Sequence, residues 1–546
     1  MEKIIRKHVE MAIKELFSKE GVDFELQKIE ISKPKEESFG DFTINVAMIL
    51  AGKLKKNPME IAEQIKSDLS LDSEPNFDFI DKIEIVKPGY INFYLKSEYF
   101  HERVIQINQE KDKFGNQEFN GSRINNEFIS ANPTGPLHIG NGRGGFYGDV
   151  ISNVLRKAGN QVDKEYFVND AGEQVIKLGH SVLKDDEAVY GGEYIDELNK
   201  RLPEIKEKLG DKKDDVKEIG WKASDLIMHE IIRPLVEDEM KIEEMNYVYE
   251  RDMYFSKGEE KNYVDRALDI LREKNLTFEE DGALWLKTTK FGDDKDRVLV
   301  KGDGNKTYFA SDCGYLLYKI ERKYDKIIEI WGADHHGYVK RFEAAARALG
   351  FEGEMKFIIL QLVKLVKDGK EVRMSKRAGN VVYVSDLIEE VGHDATRFIF
   401  LMYSPDTHMD FDLGLAKERS SKNPVFYVQY AHARICSILD KAWEIEASMN
   451  AVNFSLLVHE KEISLMRELD KFAKLIEEIS KSYEVHKLPH YAVGLADKFH
   501  SFYAVCKVND MENIELSKAR QELINAVRIV LAETLRLIGV SAPDKM

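Results

Sequence analysis

Glu127-Phe-Ile-Ser130-Ala-Asn132-Pro-Thr-Gly135-Pro-Leu-His138-Ile-Gly140-Asn141-Gly-Arg-Gly-Gly145 is the stretch on which the fold turns. A short strand reads over 125–129, a loop rich in glycine and proline follows, and a helix is expected from about residue 143 to 158, stopped by Gly159. Glycine lets a backbone approach a ligand closely, and a helix N-terminus favours phosphate. His138 and Asn141 can both donate hydrogen bonds to phosphate oxygens. A tight strand-to-helix turn in which His138 only fills space explains the glycines as well.

Similar units recur outward from this stretch. Residues 306–309 read as a strand before a helix at 312–322, and 326–331 as a strand before a helix at 338–349. That alternation is the pattern of a doubly wound parallel sheet. The charged, glycine-punctuated stretch 184–220 reads as a solvated insertion. Upstream, Ile5, Val9, Ala12, Ile13 and Leu16 have helical spacing, and 81–86 and 90–95 read as strands about Lys87-Pro88-Gly89. Residues 106–122 look like a linker. Downstream, Asn423-Pro424 starts an almost wholly helical region. The expected architecture is α/β: a Rossmann-type catalytic domain (111–355), an N-terminal α+β domain (1–110), a connecting region (356–422) and a C-terminal all-α helix bundle (423–546).

The 546 residues are 43% hydrophobic and 32% charged, a globular balance, and the net charge of −17 excludes a uniformly basic nucleic-acid binder. Local basic patches still decide contact with nucleic acid. Cys313, Cys436 and Cys506 lie far apart, which argues against a zinc ribbon or a disulfide framework and fits a reducing cytoplasm. The N-terminus lacks the uninterrupted apolar core of a signal peptide, and the longest apolar stretch, 357–366, is too short to span a bilayer. A cytoplasmic protein without membrane contact is expected. No metal site is expected either: HExxH and Walker A patterns are absent, and His335 and His336, read as strand neighbours, point to opposite faces.

A second motif is Arg373-Met374-Ser375-Lys376-Arg377-Ala-Gly-Asn380, preceded by Lys367-Asp-Gly-Lys, which reads as a hairpin turn. Three cations and a serine suit a polyphosphate leaving group, because cations stabilise developing oxyanion charge. A solvated basic loop is the plainer reading. A third is Tyr308-Phe-Ala-Ser311-Asp312-Cys-Gly-Tyr315, whose Ser311 and Asp312 are suited to cap the following helix.

Together these motifs resemble those of class I aminoacyl-tRNA synthetases, and specifically the arginyl-tRNA synthetases. His138-Ile-Gly140-Asn141 is similar to the family's HIGH signature, with Asn141 in place of the second histidine. Arg373-Met374-Ser375-Lys376-Arg377 is similar to its KMSKS signature. Ser130-Ala-Asn-Pro-Thr-Gly-Pro, Gly392-His-Asp-Ala-Thr-Arg397-Phe, Phe411-Asp-Leu and the terminal Gly539-Val-Ser-Ala-Pro-Asp-Lys-Met546 resemble the arginine-specific branch.

The resemblance implies an enzyme that joins L-arginine to its tRNA using ATP. His138, Asn141 and Lys376 would contact the phosphates, with Arg373 and Arg377 in support and Gly135, Gly140, Met374 and Ser375 lining the ATP site. Tyr308 and Asp312 would clamp the substrate guanidinium, whose planar donors ask for a carboxylate. Glu127, Ser130 and Asn132 would hold substrate polar groups, chiefly the α-amino group. His336 would contact ligand, and Asp252, near Glu250, would be a second guanidinium acid. Tyr427, Tyr430 and Arg434 share one helical face, which is either core or a platform for unpaired bases. The family assigns that bundle to the anticodon, with Met546 beside it, and assigns Asn92 and Phe93 to the bend of the tRNA. Magnesium would come with ATP, zinc and organic cofactors are not expected, and relatives are commonly monomers. Rival readings are another class I synthetase, a small-molecule nucleotidyltransferase, or a synthetase-like RNA-binding protein without catalysis.

Overall fold

The strand that feeds the glycine-rich loop, β1 (Arg123–Glu127), is the middle strand of a five-stranded parallel sheet. Its companions are β2 (Gln161–Val168), β3 (Met245–Tyr249), β4 (Lys326–Gly332) and β5 (Glu354–Leu360), in the order β5-β4-β1-β2-β3. From β1 the chain moves out through β2 to β3, then returns to lay β4 along the other side of β1. The strand order therefore reverses between β1 and β4, where open α/β sheets bind their ligands beyond the carboxyl ends of the strands. This is the expected doubly wound sheet. A computed structural model describes the chain apart from residues 21–28, 35, 70–77, 255–260, 368, 373–381 and 443–451.

Helices cover both faces of the sheet. On one side lies α1 (Ile139–Lys157), where Asn126 of β1 donates to the Gly148 carbonyl and to Ser152 Oγ, each at 2.8 Å. A Cβ on Gly148 would lie under 3.0 Å from the Phe128 side chain, and one on Gly145 would lie 2.6 Å from Met240 Cε. Those two glycines let the helix approach its neighbours, a packing role rather than a ligand role. On the other face lies α2 (Tyr308–Glu321).

Three local expectations change. No strand forms at 306–309. A short antiparallel strand at Arg297–Val300 precedes, and α2 begins at Tyr308 because Thr307 Oγ1 accepts from the Ala310 amide at 3.3 Å. Thr307 is thus the cap, and Ser311 and Asp312 lie inside the helix. The charged 184–220 stretch is mostly helical (Glu193–Lys200, Leu202–Leu209 and the start of Val216–Ile227), its solvated character carried on helix faces. The supposed linker begins within the helix Ser97–Glu110 and later buries Phe114, which stacks on Phe472 at 6.1 Å.

The chain divides into two compact units. One comprises Met1–Glu110, Glu446–Asp470 and Phe502–Ala526; the other comprises Lys111–Ile445, Lys471–Ser501 and Val527–Met546. The helices after Asn423 are thus apportioned between both. In the first unit the helix Glu2–Glu20 buries Ile5, Val9, Ala12, Ile13 and Leu16, beside a four-stranded sheet that contains Ile80–Val86 and Tyr90–Leu95. No described helix is long and apolar enough to cross a membrane.

Candidate active site

The His138 loop is built by reciprocal capping. His138 Nδ1 accepts from the amides of Gly140 (3.1 Å) and Asn141 (3.3 Å), while Asn141 Oδ1 accepts from the His138 amide at 3.1 Å. This is a capping box with histidine as the cap. Two donors on Nδ1 require that nitrogen to be the acceptor, so the proton of the neutral ring sits on Nε2, the one ring donor left for a ligand. Desolvation lowers the pKa of His138, and the negative charge of Asp334 partly opposes it. The Ile139 amide donates to the Val382 carbonyl at 3.0 Å. The free amides expected at this helix start are therefore already taken. What remains for a phosphate is His138 Nε2, the Asn141 amide nitrogen and the helix dipole. Gly140 lies in the first turn of α1, and Gly135 packs close to Tyr194, whose hydroxyl donates to the Thr134 carbonyl at 3.0 Å.

The chain leaves β1 through Ile129 and Ser130, at φ of 71° and 37°. A β-branched residue is rarely held in that region, and strain of this kind clusters at functional sites. It is held here by Ser130 Oγ, which donates to Glu127 Oε1 at 2.8 Å and accepts from the Phe167 amide at 3.0 Å. Asn132 is exposed in the same loop.

One face of α2 carries Tyr308, Ser311, Asp312, Tyr315 and Lys319, and the strand ends deliver partners to it. Gly172, beyond β2, lies against the Tyr308 ring. Glu250, directly after β3, accepts from Ser311 Oγ at 2.7 Å. Tyr338, closing the turn Ala333–Tyr338 after β4, donates to the Asp312 carboxylate. Glu127 of β1 accepts from Tyr315 (2.6 Å) and Lys319 (2.5 Å). Burial raises Asp312 to about 7, assisted by the charges of Glu250 and Glu127, although the Tyr338 hydrogen bond pulls the other way. Burial likewise raises Glu250.

Glu250 is thus the acid beside Asp312, joined to α2 through Ser311. Asp252 occupies the same short turn (Glu250–Tyr254), two residues further on. The only signal for Glu250 in the sequence was its place at a strand end, two residues before Asp252. His336 is exposed in the turn after β4, past the strand, so the strand-alternation argument applied to His335 and His336 does not hold.

Arg373, Met374, Ser375, Lys376 and Arg377 lie outside the described residues. The segments flanking them are described. Lys367 and Lys370 pair across the expected hairpin, and Val382–Val384 runs against the His138 loop, with the Val384 amide donating to the Leu137 carbonyl at 3.0 Å.

On α3 (Pro424–Ala442) an aromatic group forms outside the core. Phe426 and Tyr430 stack at 6.3 Å, His500 lies over Tyr430 at 6.1 Å, and Arg434 lies 5.9 Å from the Tyr430 ring. Tyr427 donates to Asp497 at 2.5 Å, and Met546 is exposed. Asn92 and Phe93 do not fit their expected role. Both are buried, one on each face of a strand interior to its sheet, and Asn92 Oδ1 accepts from Thr43 at 2.6 Å. Tyr90 is the exposed aromatic there.

Among the described residues one group has metal-ligand character: His432, Cys436 and Asp544. Its hydrogen bonds describe a clamp on the terminal segment. His432 Nδ1 donates to the Pro543 carbonyl at 2.9 Å and Cys436 to Asp544 at 3.4 Å. Burial, with Asp544 beside it, holds the Cys436 thiol at about 11, so it stays protonated.

Comparison with known proteins covers all three parts of the chain. Residues 3–95 match the arginyl tRNA synthetase N terminal domain, 103–401 the catalytic domain of class I (R) tRNA synthetases, and 428–546 the DALR anticodon binding domain. The arginine–tRNA ligase of Anoxybacillus flavithermus is 41% identical over 98% of each chain. That of Bacillus subtilis is 41% identical over 96% of this chain and 95% of its own. The arginyl-tRNA synthetase structure from Thermus thermophilus shares the fold at a TM-score of 0.76 and 20% identity, with both chains fully covered. Likeness at that level, sustained from one end of the sequence to the other, means that the chain belongs to the arginyl-tRNA synthetase family.

Proposed function

We infer that the protein is an arginine–tRNA ligase. It activates L-arginine with ATP and transfers it to the terminal ribose of its tRNA. The observation that carries this reading is the charge balance at the switch point. Asp312, Glu250, Glu127, Glu165 and Glu329 converge on one face of α2, where Lys319, Arg322 and Arg341 are the cations that offset them. A site short of positive charge selects a cationic ligand, and buried acids left unpaired disfavour apolar amino acids strongly.

In this reading Asp312 and Glu250 face the guanidinium, with Tyr308 against it, while Glu127, Ser130 and Asn132 hold the α-amino end. The arginine carboxylate attacks the α-phosphorus, the bond to the β-phosphate oxygen breaks, and pyrophosphate leaves with the bonding pair. The ribose hydroxyl then attacks the activated carbonyl and AMP leaves. No enzyme nucleophile is needed, so catalysis rests on positioning and charge stabilisation. His138 Nε2–H and the Asn141 amide are the donors beside the leaving phosphates. Lys376, six residues before Val382 in the sequence, is the cation assigned to the phosphates; the Val382 carbonyl accepts from the Ile139 amide of the His138 loop. Magnesium arrives with the ATP as part of that substrate. The stacked Tyr430 face suits anticodon bases, and a cytoplasmic monomer is the simplest form of such an enzyme.

Lys376→Ala tests the phosphate assignment. It is expected to slow arginine-dependent exchange of pyrophosphate into ATP by about a hundredfold or more, the usual cost of losing one transition-state charge contact, while arginine binding stays near the parent value. Unchanged exchange removes Lys376 from the reaction.

A further inference from the structure

Three glutamates on adjacent strands share one register: Glu329 of β4 pairs with Glu127 of β1, and Glu127 pairs with Glu165 of β2. Their side chains therefore emerge in a row on the face covered by α2. All three are buried, and Lys319, with no exposed surface, is set into the row. Its Nζ lies 2.5 Å from Glu127 Oε2, 2.6 Å from Glu329 Oε1 and 4.0 Å from Glu165 Oε1. One turn earlier, the Tyr315 hydroxyl lies 2.6 Å from the same Glu127 oxygen and 2.7 Å from Glu165 Oε1. Arg322 pairs with the other oxygen of Glu165, and Asn246 donates to that oxygen at 3.1 Å.

We propose that Lys319, assisted by Tyr315, is a positioning residue that fixes the Glu127 carboxylate for the α-ammonium of the amino-acid substrate. The proposal rests on the reading of Glu127 given above. The geometry is specific. Glu127 Oε2 is occupied by the lysine and the tyrosine, and Oε1 is held by Ser130, so the carboxylate cannot rotate and keeps one lone pair of Oε1 for a ligand. A charged group held in this way loses little entropy when its partner arrives. The charges in the row agree: three carboxylates face two cations. Burial, and then the neighbouring Glu127 charge, raise the pKa of Glu329 above the usual carboxylate range, so the lysine charge falls chiefly to Glu127. On its other side Glu329 pairs in register with apolar Phe357 of β5.

The experiment is pyrophosphate exchange with tRNA present, on Lys319→Met, Tyr315→Phe and the double variant Lys319→Met/Glu329→Gln. Lys319→Met is expected to raise the arginine KM by about tenfold or more, as one lost charge-assisted hydrogen bond would, and to leave the ATP KM within about twofold. Tyr315→Phe should shift the same constant less. Inhibition by 5-guanidinopentanoate, arginine without its α-amino group, should not change. The double variant removes the acid along with its cation, so it restores the melting temperature even where Lys319→Met folds poorly, yet keeps the raised arginine KM. An unchanged arginine KM, or its recovery in the double variant, overturns the proposal and reduces Lys319 to charge neutralisation. Lack of arginine-dependent exchange in the parent enzyme would instead overturn the reading of the site, and this proposal with it.

Discussion

Asp312 shows how one residue type changes meaning with its surroundings. Held at about 7 by burial, it is only partly ionised at neutral pH in the free protein. In the proposed clamp the guanidinium needs the carboxylate form, so acid and substrate would compete through the proton. Protonation below the raised pKa weakens arginine binding, and ionisation above it restores the grip. The arginine KM is therefore expected to be about tenfold higher at pH 6 than at pH 8, as simple titration across one unit on each side requires. Asp312→Asn should raise the KM at every pH and remove this slope. A flat arginine KM between those pH values would take Asp312 out of the clamp.

The Tyr308/Asp312 pair came from the family resemblance; the one helix that carries both was not legible, because 306–309 read as a strand and the Thr307 cap moves the helix start to Tyr308. Glu250 was not legible either, because its partner Ser311 lies 61 positions away. Asn141 was legible as a donor but not as half of a capping box, since histidine is outside the usual set of caps.

At the scale of elements, α1 depends on absent side chains. Replacing Gly148 by alanine would gain up to about 1 kcal/mol of helix propensity. The new methyl group would meet the buried Phe128 side chain at under 3.0 Å, and overpacking of that kind costs about 1–3 kcal/mol. The clash outweighs the propensity, so Gly148→Ala is expected to lower the melting temperature by a few degrees. A rise would mean that Phe128 can move aside freely.

The elements also show where local rules were incomplete. Residues 306–309 carry a strand-like pattern, but Thr307 caps a helix there. The stretch 184–220 looks like loop by charge and glycine, yet its helices bury Ile195, Leu198, Ile205 and Ile219. Local composition reported solvation in that region and missed a narrow apolar stripe.

At the scale of the whole molecule, a net charge of −17 and a polyanionic partner coexist only if contact is local. The stacked group on α3 is the place proposed for that contact. Tyr430→Ala should raise the tRNA KM in aminoacylation by about tenfold, within the range for loss of one base–aromatic stack. The arginine KM should stay where it is. Equal effects on both constants would mean that the stack supports the fold and not the RNA.

The sequence by itself determined the doubly wound order and the glycine-rich strand-to-helix turn, because each is written in contiguous residues whose spacing is set by strand and helix geometry. Only the tertiary structure decided that Glu329, Glu127 and Glu165 stand in one row under Lys319, that the first amides of α1 are already satisfied, and that Asn92 and Phe93 are both buried. Those facts depend on register between strands and on what packs against them, and neither is encoded in the spacing of residues along one segment.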